Sequence, residues 1–189
     1  MPIKGVGFEL HIERQMLQHR KTGGEKRQRT IGAYQVYIDG KPQHGLYGFM
    51  AEQKGPSDST PTGNLYDRRI APGYFQLWTQ YGTKYRTIGY VPGQVDFGIK
   101  PRPGIELAGT GTRDEILIHP AMGFLSSEGC IHPTSALASG ASDINHADSR
   151  ARVIALIDAM IAFCGNNWPG KDGYKIPKCF CAIDDGPGV

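Results

Sequence analysis

No run of apolar residues in the 189-residue chain approaches the roughly 20 that a helix needs to cross a bilayer, so nothing in it reads as a membrane span. The N-terminus shows neither an apolar h-region nor a small-residue cleavage site, and no cleavable signal peptide is expected. There is no internal repeat and no low-complexity tract. Charge of one sign is also lacking: 21 Lys and Arg against 18 Asp and Glu leave a net +3, which favours anionic partners only where the charges cluster. Cysteine is scarce at four, and without a Cys-x2-Cys pair the sequence argues against a structural zinc site. Glycine and proline are not scarce. Their 26 and 13 copies point to many turns between short strands and exclude an all-helical fold. The 39% hydrophobic and 21% charged content is ordinary for one globular domain with a core that needs no staples.

Along the chain, Phe8, Leu10 and Ile12 alternate with polar residues and predict a half-buried strand. Tyr34, Val36 and Ile38 predict a second, running into the turn pair Asp39-Gly40 and returning from Leu46 to Met50. Between them lies the basic cluster His19 to Arg29, whose two glycines break any regular face. It reads as a solvated loop between strands rather than a patch for nucleic acid or an anionic cell wall. Residues 52–64 are rich in Gly, Pro, Ser and Thr, a loop long enough for a lid or a substrate contact. Strands are expected at Gly73 to Thr79 and Thr87 to Val91, then an irregular stretch from Pro92 to Gly104.

A helix is predicted from near Asp148, because Val153, Leu156, Ile157, Met160, Ile161 and Cys164 follow amphipathic spacing and Gly165 is a fitting stop. Trp168 and Tyr174 are expected to pack the tail on the sheet, with a last strand from Ile176 to Ile183. Cys179 and Cys181 are expected to face apart, leaving Cys164 either bridged to one of them or a buried free thiol. The fold class is mainly β with one packed C-terminal helix (α+β). Residues 1–189 form a single domain, with the helix at 148–165 and the tail at 166–189 packed on it.

The chemistry concentrates near the middle. Glu115-Ile116-Leu117-Ile118 reads as a buried strand that leaves His119 where the chain exits the sheet. Eleven residues later comes Cys130, inside Ser126-Ser127-Glu128-Gly129-Cys130-Ile131-His132. A free thiol, with a pKa of about 8.5, is mostly protonated at neutral pH and needs a base before it attacks a carbonyl. An imidazole within reach takes that proton and later returns it to the leaving amine. Gly129 has no Cβ and admits unusual backbone angles, and the amides of Gly129 and Cys130 are candidates for an oxyanion site. Ser127 is a candidate substrate or loop hydrogen bonder. Glu128 is expected to point away, since a carboxylate beside a thiolate opposes it. On an extended segment His132 shares the face of Cys130, where it could bind a substrate carboxylate or carry a second proton. The competing arrangement is a zinc site from His119, Cys130, His132 and His146. The favoured site has no metal and no cofactor: Cys130, His119 and Gly129 for catalysis, Ser127 and His132 for substrate.

His119, followed at this spacing by Ser127-x-Gly129-Cys130-Ile131, resembles the active-site signature of the L,D-transpeptidase catalytic domain superfamily, in a short His-x10-Cys form carrying Glu-Gly-Cys-Ile. Thr30-Ile31-Gly32 leading into Val36-Tyr37-Ile38-Asp39-Gly40, and Arg69-Ile70-Ala71-Pro72-Gly73-Tyr74, extend the likeness loosely over roughly residues 8 to 137. The main branch usually carries Arg or Asn just beyond the Cys-hydrophobic pair, where this chain has His132. The resemblance implies a β-sandwich or barrel and a Cys130 acyl-enzyme acting on peptidoglycan stem peptides by transpeptidation, L,D-carboxypeptidation or D-amino-acid exchange. Since no signal peptide or span is read from the sequence, that substrate implies a protein made in the cytoplasm and injected by a secretion apparatus, released by phage lysis, or carrying a leader ahead of this sequence; the first route makes it an antibacterial effector delivered to the periplasm or secreted and countered by an immunity protein. Its alternative is a non-catalytic peptidoglycan-binding or phage structural module on the same fold.

Overall fold

The structure, a computed structural model, describes residues 2–55, 68–125 and 129–189. In chain order the elements are β1 (Phe8–Thr22), β2 (Glu25–Ile38), β3 (Lys41–Gln53), β4 (Gly73–Thr79), β5 (Tyr85–Arg86), β6 (Arg102–Pro103), β7 (Ile105–Ala108), β8 (Leu117–Ile118), β9 (His132–Thr134), α1 (His146–Cys164) and β10 (Lys175–Asp185). Among the described residues the protein is therefore mainly β with a single late α-helix. Eight strands form one sheet in the order β8-β7-β4-β10-β1-β2-β3-β9, and β5 pairs with β6 in a small parallel ladder.

The alternation of Phe8, Leu10 and Ile12 places all three in the core, and β2 does the same with Tyr34 and Val36. Asp39 and Gly40, at φ +46° and +76°, make the expected tight turn between β2 and β3. The last strand is at the centre of the sheet: β10 runs parallel to β1 on one side and antiparallel to β4 on the other. Cys164, Cys179 and Cys181 are buried free thiols, with Cys164 Sγ 3.8 Å from Cys179 Sγ. Cys179 and Cys181 do not face apart. Two positions along a strand is one full pleat repeat, so both point into the same core.

Helix α1 starts with Asn145 accepting the Asp148 N–H and ends at Gly165, and it buries Val153, Leu156, Ile157, Met160 and Cys164. Ile161, at the edge of that stripe, is exposed, as is Tyr174, whereas Trp168 packs on the core. Among the described residues no helix is long and apolar enough to cross a membrane. No strand forms over Thr87 to Val91; pairing stops at Arg86, and Thr87 is tied to Gly104 and Gln80 by its hydroxyl. The loop expected over 52–64 begins only after β3 ends at Gln53, and 56–67 lie outside the described residues.

The basic cluster His19 to Arg29 is not a loop. It forms the paired arms of β1 and β2, turning at Gly23 and Gly24, and its arginines are largely spent on backbone. Arg20 donates to the carbonyls of Gly140, Ala141 and Ser142 and pairs with Asp143. Arg29, fully buried, donates to the carbonyls of Phe124, Ser139 and Ser142 and to Gln18. The Phe124 ring lies under the guanidinium groups of Arg20, Arg27 and Arg29, with centroid distances of 4.7, 5.4 and 4.5 Å. Burial, reinforced by Arg20, draws the Arg29 pKa down to about 10. These bonds pin the two segments that flank Cys130 in sequence. Arg29→Ala strands buried acceptors and is expected to lower unfolding free energy by about 3 kcal/mol or more, measured by urea denaturation.

The two ends of the sheet meet. Ile118 in β8 bridges Ile131, the residue before β9, in parallel, with Ile131 N–H donating to Leu117 O at 2.8 Å and His119 N–H to Ile131 O at 3.1 Å. The sheet thereby approaches a closed barrel, and His119 and Cys130 flank its seam.

Candidate active site

The seam explains how two residues eleven apart come together. Ile118 and Ile131 are fully buried partners whose side chains enter the core, so the pleat turns Leu117, His119, Cys130 and His132 to the opposite face. The contacts follow that register: Leu117 N–H reaches Cys130 Sγ at 3.4 Å, and the rings of His119 and His132 meet edge-on at 4.5 Å. Cys130 and His119 are thus diagonal neighbours, and both line one cleft of about 480 Å³ with Gln80, Tyr85, Lys100, Arg102 and Glu115.

Cys130 is 9% exposed and lines this cleft. Its Sγ also lies 3.6 Å from Glu115 O, an acceptor for the thiol proton, while Leu117 N–H is a donor to whatever negative charge the sulfur acquires. Glu115, read from the sequence as part of a strand, is instead exposed with φ +54°, and this turn aims its carbonyl at the sulfur. Gly129 sits at φ +86°, where a Cβ would collide with the Arg113 guanidinium and stand 3.2 Å from Ile116 Cδ1. Arg113, buried, donates in turn to Arg68 O at 2.5 Å. Ser126, Ser127 and Glu128 lie outside the described residues, and with them the reading of Ser127 as a substrate contact and of Glu128 as pointing away.

His119 is 3% exposed. Its Nδ1–H donates to Pro120 O at 2.8 Å, an assignment that puts the proton on Nδ1 and leaves the Nε2 lone pair free to take one. One face of the ring stacks on Tyr85 at 4.1 Å, so the imidazole is held in orientation as well as tautomer. His132 is fully buried and does not line the cleft; its Nδ1–H donates to His119 O at 3.1 Å. It shares the face of Cys130, as the spacing requires, but stands against the His119 ring. Among the described residues no group of three or more His, Cys, Asp or Glu is arranged to hold a metal, and His146 instead meets the Phe97 ring edge-on at 5.0 Å.

Burial, with His132 and Arg102 nearby, holds the His119 pKa well below the ordinary imidazole range, and burial pushes His132 down to about 4. Both rings are neutral in the fold, whereas an unfolded chain protonates them near pH 6.5. Below that pH the unfolded state binds more protons, so stability falls as pH drops from about 6.5 towards about 4, where His132 protonates in place. The expected slope reaches about 1.4 kcal/mol per pH unit for each histidine. Urea unfolding at pH 7.5, 6 and 5 measures it, and His132→Asn is expected to flatten it.

Two residues of the cleft carry no sequence signal. Tyr85 and Arg102 come from β5 and β6, two-residue strands brought together by Arg102 N–H donating to Lys84 O at 2.9 Å. Burial raises the Tyr85 pKa, so its phenol stays protonated. Comparison of the chain with protein-family models, with curated proteins and with solved structures finds no match.

Proposed function

We propose that the protein is a cysteine-nucleophile enzyme acting on peptidoglycan stem peptides through a Cys130 acyl-enzyme. The observation that carries this reading is the pairing, in one cleft at the barrel seam, of a thiol served by a backbone N–H with a neutral imidazole whose Nε2 is free. The L,D-transpeptidase-like fold belongs to the same proposal, and the nearly closed sheet is compatible with it.

In the proposed reaction His119 Nε2 takes the Cys130 proton, and the sulfur adds to the carbonyl at the L-centre of diaminopimelate. The resulting oxyanion is met by the Gly129 and Cys130 amides. Collapse breaks the C–N bond, His119 returns the proton to the departing D-amino acid, and a thioester remains on Cys130. Water resolving it gives carboxypeptidation; an amine gives a crosslink or an exchanged D-residue. Action outside the cytoplasmic membrane follows from that substrate; delivery there as an antibacterial effector, with a secretion apparatus and an immunity protein as partners, is a further part of the proposal. Incubation of the wild type and Cys130→Ala with defined tetrapeptide and pentapeptide muropeptides, read by mass spectrometry, tests it. Cys130-dependent loss of the terminal D-residue, a dimer or an exchanged residue supports the enzyme; binding without any product favours the non-catalytic module.

A further inference from the structure

Arg102 is a buried cation without an anion among the described residues. It is 6% exposed, its Nε and Nη1 have no hydrogen-bond partner, and no carboxylate among the described residues forms an ion pair with it. Its guanidinium is held by rings instead, 4.0 Å from the Phe97 centroid and 5.0 Å from that of Tyr85. Stranding a charge this way is costly unless something completes the site. The same side chain lines the cleft of Cys130 and His119, with Lys84 and Lys100 exposed at its rim and Glu115 the one acidic residue on its wall among the described residues. Among the described residues, three cations against one anion make the cleft attractive to negative charge, and a planar, immobilised guanidinium suits a carboxylate.

We infer that Arg102 is the anchor for a substrate carboxylate flanking the scissile bond, the role that the sequence alone had offered to His132. The inference rests on the stem-peptide reading for the identity of the substrate, and on the cleft alone for its charge. Two of a stem peptide's free carboxylates belong to the residues joined by that bond, the C-terminal carboxylate of the D-residue and the side-chain carboxylate of diaminopimelate; the third, on the γ-linked D-glutamate, is present in every stem compared. Arg102 pairs with one of them, and the amidated peptides below tell them apart.

The experiment titrates Cys130→Ala protein, by calorimetry, with the tetrapeptide stem, its C-terminal amide and its diaminopimelate side-chain amide, and by NMR with N-acetyl-D-alanine and its amide. The free acid is expected to bind about 10- to 100-fold more tightly than one of the two amidated stems. Adding Arg102→Met is expected to remove that preference. Met keeps the apolar stem while deleting the stranded charge, so its melting temperature is expected not to fall, whereas a purely structural arginine would lower it. In the active protein Arg102→Met is expected to raise KM about 10- to 100-fold with kcat within about threefold. Should the Met variant fail to fold, the acid-amide comparison on the unaltered Arg102 background still decides, with Arg102→Lys expected to bind the acid more weakly. Equal binding of acids and amides, or a preference untouched by Arg102→Met, overturns the anchor. Stem peptides neither bound nor turned over, with acetyl-D-alanine still held through Arg102, would retain the anion site and sink the peptidoglycan reading.

Discussion

Cys130→Ala is expected to lose at least about ten-thousand-fold in turnover of stem peptides while unfolding within about 1–2 kcal/mol of the wild type. The asymmetry follows from what the sulfur touches. Its contacts in the resting protein include weak ones, 3.4 Å to Leu117 N and 3.6 Å to Glu115 O, and removing the sulfur leaves a space the size of one atom. In the proposed reaction it forms the only covalent bond to substrate, for which no neighbouring group substitutes. Turnover by mass spectrometry and urea unfolding on the same preparation separate the two effects. Substantial activity in a folded Cys130→Ala protein would rule out the acyl-enzyme.

Gly129→Ala is expected to damage both stability and activity. At φ +86° an L side chain is strained, by about 1–2 kcal/mol, and the added methyl has nowhere to go. Arg113 occupies that space and is itself held by its bond to Arg68 O, so it cannot swing aside without losing a buried hydrogen bond. Overpacking adds about 1–3 kcal/mol, for a total of about 2–5 kcal/mol. Because Gly129 precedes Cys130, any backbone shift that relieves the clash moves the nucleophile away from Leu117 N–H. A fall in melting temperature accompanied by loss of turnover checks this. An Ala variant as stable and active as wild type would mean that the positive φ and the Arg113 contact are dispensable.

Much of the fold was legible because it depends on local pattern. The pleat of Phe8, Leu10 and Ile12, the Asp39-Gly40 turn and the stripe of α1 each need only a few neighbouring residues to declare themselves. That His119 and Cys130 share a cleft was legible for a different reason, since both readings of these residue types, thiol with base or metal site, require them to meet. Why they meet was not: it takes the bridge of Ile118 to Ile131, which joins the first and last strands of the sheet.

What stayed hidden depends on long-range partners. The arginines of the 19–29 cluster look solvated in sequence because acids normally accompany buried cations, but Arg29 is satisfied by carbonyl oxygens, which every residue offers and none advertises. His132 was placed on the correct face, yet the residue across the seam, His119, covers it, so it stands against the His119 ring rather than meeting the cleft. Tyr85 and Arg102 enter through two-residue strands too short to leave a periodicity. The charge of the cleft was therefore the least readable part of the site.

The most direct test of the central claim is intact-protein mass spectrometry of the wild type, quenched in acid at short times with a pentapeptide stem, followed by mapping of the modified peptide. The expected result is a transient adduct equal to the stem peptide lacking its leaving residue or residues, confined to the peptide containing Cys130 and absent from Cys130→Ala. An unmodified protein that nevertheless releases product, or an adduct on any other residue, would contradict the assignment of Cys130 as the nucleophile.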